Sequence, residues 1–113
     1  MVNLTPHEIV VFDSSNNVVL RVPPSGLIAR VTQNEVEIGS INGVPVYQTQ
    51  YGSVEGLPEP QENTVYIVSL LVLQALKSQG VTRHDLVAPN TGPNSAVRDS
   101  QGRIIGVRSF IVL

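Results

Sequence analysis

A glycine or proline falls every six or seven residues along this chain, nine glycines and eight prolines in 113 positions. Proline cannot donate to a ladder or sit inside a helix, and glycine weakens both kinds of element. Long uninterrupted helices are therefore excluded, and short strands joined by turns are favoured. The residues between the breaks agree: 19 valines, 8 isoleucines and 6 threonines place a β-branched side chain at 33 of the 113 positions. Such side chains are stiff at χ1 and pack well on a pleated surface. The chain reads as mainly β.

Local patterns refine this. Residues 8–12 alternate weakly and pass through Asp13-Ser14-Ser15-Asn16-Asn17 into residues 18–22, a first hairpin. Pro23-Pro24-Ser25-Gly26 stops it, and residues 27–32 form a third strand with Arg30 facing outward. Glu35-Val36-Glu37-Ile38 alternates strictly and leads to Asn42-Gly43, the signature of a type I′ hairpin turn, with Pro45 confining the returning strand to an edge or a bulge. Residues 51–63 hold two glycines, two prolines and three glutamates and read as a long surface loop. Residues 64–68 are strand-like. Ser69 then caps a helix over residues 69–79 whose first turn is apolar all round and which ends at Gly80. Residues 85–88 form a further strand, 90–95 a polar loop, and residues 97–98 and 103–113 a final hairpin whose last strand is covered on both faces. The expectation is an α+β, mainly β fold: a single domain over residues 1–113, built as a small antiparallel barrel or strongly bent sheet of about eight short strands closed around one buried helix.

Several function classes drop out. Hydrophobic residues at 42% and charged residues at 14% do not fit intrinsic disorder. With no cysteine there is no disulfide framework and no thiolate nucleophile, and His7 and His84 have no neighbours at metal-ligand spacing. His7 reads as a structural histidine whose ring satisfies backbone groups. No apolar run approaches the roughly 20 residues of a membrane-spanning helix, and no basic-then-apolar leader opens the chain, so a cytoplasmic location (the host cytosol for a phage-encoded chain) is expected. No Gly-x-x-x-x-Gly-Lys or Gly-x-Gly-x-x-Gly run and no Gly-x-Ser-x-Gly elbow occurs. Glu55, Glu59 and Glu62 share one Pro/Gly loop, which holds paired carboxylates too loosely for glycosidase work. No catalytic residue, metal site or cofactor is assigned, and the chain is expected not to be an enzyme.

Charge is unevenly spread. Residues 1–76 carry two arginines against seven acids, whereas residues 77–113 carry five basic groups against two acids. Five glutamates between Glu35 and Glu62, with no lysine or arginine, would repel a phosphate backbone, so nucleic acid is a disfavoured partner. Arg98, Arg103 and Arg108, with Arg30 and the polar loop that begins Asn90-Thr91, form a candidate site for a small anionic, nucleotide-like ligand, since guanidinium forks and loop N–H groups both bind phosphate or carboxylate. Charged residues around a turn can also serve only to solvate it.

Asn3-Leu4-Thr5-Pro6-His7, Pro24-Ser25-Gly26 with Ala29-Arg30, Gly56-Leu57-Pro58-Glu59-Pro60 followed by Thr64-Val65-Tyr66-Ile67-Val68-Ser69, and Arg98-Asp99 with Gly102-Arg103-Ile104-Ile105-Gly106 together resemble a group of small bacterial and phage proteins with no assigned activity. The resemblance implies a setting, that of an accessory protein of a phage or mobile element, and no mechanism. Two readings follow: a non-enzymatic binding module that sequesters a small anionic ligand or docks on a protein partner, and a structural, virion-associated protein that assembles as a homo-oligomer through open β edges.

Overall fold

The computed structural model describes all 113 residues and contains ten strands and one helix. In chain order these are β1 (Val2–Asn3), β2 (Ile9–Phe12), β3 (Val18–Val22), β4 (Arg30–Ile41), β5 (Val44–Glu55), β6 (Tyr66–Ile67), α1 (Leu70–Ser78), β7 (Leu86–Pro89), β8 (Ala96–Arg98), β9 (Ile104–Val107) and β10 (Phe110–Ile111). The architecture is mainly β with one helix, as expected, but the strands form three sheets and no closed barrel. Two sheets have four strands, in the orders β1-β6-β7-β10 and β3-β2-β9-β8, and the third is the β4–β5 pair alone.

Purely antiparallel pairing is corrected by the same topology. β6 pairs in parallel with both β1 and β7, and β2 pairs in parallel with β9. For β6 and β7 the physical reason lies in the connection: α1 stands between them, and a crossover through a helix returns the chain in the same direction. Ser69 caps that helix, its Oγ accepting the Val72 N–H at 3.3 Å, and Val72, Leu73, Ala75 and Leu76 bury one face of it. Leu70, in the apolar first turn, remains exposed.

The interior is divided by β6. Tyr66 and Val68 join Leu4, Val72, Leu73, Leu76 and Leu86 in the larger cluster, whereas Ile67 packs with Ile9, Val11, Val22 and Val107 in the smaller one. Alternation along one short strand thus serves two cores.

The last stretch does not form one continuous strand. It breaks at Arg108-Ser109, because both of their N–H groups turn to the Oγ of Ser95 at 3.1 Å, and β9 and β10 end up in different sheets. Ile104 and Ile105, expected to be covered, are exposed, as are Val112 and Leu113. Nor is residue 51 the start of a loop: β5 continues to Glu55.

The N-terminal segment is held by a buried asparagine. Asn3, 1% exposed, donates through Nδ2 to the carbonyls of His7 (2.7 Å) and Val22 (3.0 Å), while its Oδ1 accepts from the N–H and Oγ1–H of Thr5 at 2.9 and 2.7 Å. The carbonyl of Asn3 also accepts from Ser25 Oγ at 2.7 Å, so one residue ties β1, the end of β3 and the following turn together. His7 takes part through its backbone carbonyl, and its side chain lies at the surface, which corrects the expectation for its ring. Asn3→Ala would leave the buried Val22 carbonyl and the Thr5 N–H without their partner, while Thr5 Oγ1 and the His7 carbonyl still bond each other, and is expected to cost about 2 kcal/mol of stability. Urea unfolding measures this; a loss below roughly 1 kcal/mol would show that the network is replaceable.

Candidate functional site

The six residues of the proposed anion site fall into three local groups, and no hydrogen bond joins the groups. Arg98 and Arg103 sit at the β8–β9 turn. There the Asp99 carboxylate accepts the N–H groups of Gln101 (2.8 Å) and Arg103 (3.0 Å), Arg103 Nε donates to Asp99 Oδ2 at 3.1 Å, and Arg98 Nη1 donates to the Gly102 carbonyl at 2.6 Å. The Arg103 N–H, foremost among these donors, holds the Asp99 carboxyl below the usual range.

Arg108 and Asn90 gather around buried Ser95. Asn90 Nδ2 donates to Ser109 Oγ at 3.2 Å, its Oδ1 accepts the Gly92 N–H at 3.0 Å, and the Arg108 N–H reaches the Ser95 carbonyl at 2.9 Å. The Arg108 guanidinium turns away from this loop and donates to the Asp13 carbonyl and Asn16 Oδ1, closing the β2–β3 turn. Asp13 is held below its ordinary pKa chiefly by the Asn17 N–H, with Arg108 adding a smaller favourable charge. Thr91 is exposed. Arg30 is elsewhere, at the start of β4 and opposite Glu55 in the ladder.

A shallow cavity of about 290 Å³ lies where the end of α1 meets residues 80–84 and the last two residues, with Leu73, Leu76 and Leu86 as its floor and Lys77, Arg83 and His84 at its edge. Arg83 escaped the sequence reading, although Arg-x-Asp was its signal. It forms a two-point pair with Asp85 (Nε–Oδ1 2.9 Å, Nη2–Oδ2 2.6 Å), donates its Nη1 to the Pro58 carbonyl at 2.9 Å, and stands 6.0 Å from the Tyr66 ring. Its donors fasten the residue 58 loop to the body.

The two longest strands, β4 and β5, form an arm whose residues are mostly exposed. Its base is anchored: Val31, Val54 and Leu57 pack on the larger core, and Gln79 Nε2 donates to the Gly52 carbonyl at 2.7 Å. Beyond Gln33 and Tyr51 the ribbon stands clear, which is why the radius of gyration is 16.4 Å against the roughly 13 Å of a compact chain this long. The tip is the expected turn, with Asn42 at φ 52° and Gly43 at φ 81°. Cross-strand pairs Val36↔Gln48, Gly39↔Val46 and Ile41↔Val44 place these residues on one side, and the bulge after Glu37 adds Ile38 to it. Glu35↔Thr49 and Glu37↔Tyr47 occupy the opposite side. The first side is uncovered, and its outer part is apolar: Val36, Ile38, Ile41 and Val44 are 41%, 62%, 66% and 63% exposed, while Gln48 and the Asn34↔Gln50 pair continue the same side toward the base.

No protein family, curated protein sequence or solved structure matches this chain. No helix is long and apolar enough to cross a membrane.

The Arg83–Asp85 pair yields a pH test. Arg83, through its hydrogen bonds, holds Asp85 below the ordinary carboxylate pKa, so the pair's stabilisation is complete above about pH 4 and is lost as pH falls through the lowered value. Asp85→Asn is expected to cost about 2 kcal/mol at pH 7 and to flatten the acid limb of the stability curve. Urea unfolding at pH 7 and pH 3 measures both; parallel curves for the two chains would contradict the assignment.

Proposed function

We propose that this chain is a non-catalytic structural module that assembles with copies of itself through the β4–β5 arm. The observation that carries the reading is the apolar ribbon face with nothing beneath it. A two-stranded hairpin is at best marginally stable alone, and a sheet face rich in valine and isoleucine is stable when something covers it. Only 18 of 113 residues are buried in the single chain, so a large share of its apolar surface awaits a partner. In the phage or mobile-element setting that the sequence resemblance suggests, this is the behaviour of a building part of a larger particle.

The anionic-ligand reading has less support. Arg98, Arg103 and Arg108 each direct a guanidinium into a neighbouring turn, and Asn90 and Ser95 spend their side chains within the loop. These contacts are what solvated and fastened turns require.

Sedimentation velocity at high micromolar concentration is expected to give at least twice the 12.2 kDa chain mass, and Ile38→Asp is expected to restore the chain mass while the body retains its fold by circular dichroism. A wild-type monomer, or an assembly indifferent to Ile38→Asp, would remove the reading. In a thermal-shift panel of nucleotides, cyclic dinucleotides and sugar phosphates no stabilisation is expected; a shift abolished by Arg98→Ala or Arg103→Ala would restore the ligand site instead.

A further inference from the structure

We infer that the surface receiving the arm is the same face of the arm in a second copy, so that two ribbons pack face to face about a twofold axis into a four-stranded, two-layer sandwich. This rests on arm-mediated assembly and adds the identity of the receiving surface.

Length and exposure select that surface. From Val36 to Ile41, at about 3.3 Å per residue, the apolar part of this face is roughly 20 Å long and two strands wide, and Asn34, Gln48 and Gln50 continue it toward the base. No other exposed apolar group on the chain has that shape. Val18, Val19 and Leu20 are consecutive in β3 and therefore project alternately to opposite sides, and the same is true of Ile104 and Ile105 in β9. The groove beside α1 is concave and edged by Lys77, Arg83 and His84, whereas another arm offers a matching extended strip of Val36, Ile38, Ile41, Val44 and Val46.

Charge agrees with this choice. Residues 33–51 contain Glu35 and Glu37 and no lysine, arginine or histidine, so two arms meeting on their polar sides would repel. Both glutamates lie on the side opposite the apolar strip, across from Thr49 and Tyr47, and apolar-to-apolar packing leaves them in water on the outside of the sandwich. The area reaches the lower bound for a specific interface, on the order of 1,000 Å², when the whole outer length of both arms is covered, Asn34, Gln48 and Gln50 included. A surface that recognises itself is isologous, so the contact closes as a dimer and does not propagate into a filament.

The chain contains no cysteine, so one introduced thiol reports one contact. Val36→Cys, Ile38→Cys, Val44→Cys and Val46→Cys, each made singly in the full chain, are treated with a short bis-maleimide and resolved by denaturing electrophoresis. Glu37→Cys and Thr49→Cys serve as polar-side controls. Covalent dimer is expected in high yield from at least one apolar-face position and only at background level from the controls. If the wild-type chain sediments as an oligomer that Ile38→Asp dissociates, yet no apolar-face cysteine links, the arm seats on a different surface and this inference fails while arm-mediated assembly stands. Equal linking from both faces also overturns it, since that reports edge pairing or random collision. A chain that sediments as a monomer and never links overturns both.

Discussion

β6 is the strand on which the body depends. It is buried on both faces and hydrogen-bonded on both edges, with the Val2 and Leu4 N–H groups donating to Val65 and Ile67 on one side and the Tyr66 and Val68 N–H groups donating to Asp85 and Val87 on the other. Because successive side chains point to opposite sides, Tyr66 and Val68 hold α1 on one core while Ile67 anchors the second sheet. Its parallel pairing with β7 follows from the helix that returns the chain between them. Asn3, one strand away, then locks the N-terminal segment to the end of β3.

The arm obeys a different constraint. Its base shares the larger core through Val31 and Val54, but its outer half has no second layer, and two strands cannot cover their own apolar side. Elsewhere the molecule satisfies its polar groups: no buried side-chain nitrogen or oxygen lacks a hydrogen-bond partner. It is this uncovered apolar ribbon, beside a body whose buried polar groups are all paired, that supports the proposed assembly role of the arm.

What could be read from the sequence was local. Asn42-Gly43 announced its turn, Ser69 its cap and Gly80 the end of the helix, because each is a short-range matter of φ and hydrogen bonding. The length of the arm was hidden by its own glycines and Pro45, which resemble strand breaks; a lone two-stranded ribbon tolerates them because both strands are edges. Gly52 in particular continues β5, where a Cβ would come within 2.3 Å of Thr32 Oγ1. The parallel pairings of β1 with β6 and of β2 with β9 join residues far apart in the chain and leave no periodic trace. For the arginines, the Asp99–Arg103 knot was visible at i, i+4 spacing, whereas nothing near Arg108 in sequence indicates that its guanidinium ends on Asp13 and Asn16.

Hydrogen exchange of the arm amides tests the central claim most directly, because face-to-face packing would hold closed a ribbon that opens readily when alone. Compared between the wild-type chain and Ile38→Asp at the same high concentration, protection of residues 33–51 should fall sharply in the variant, and in the wild type it should decline on dilution while β6 and α1 stay protected. Protection of the arm that is unchanged by Ile38→Asp and by dilution would show that the ribbon is stable without a partner, and would contradict the claim.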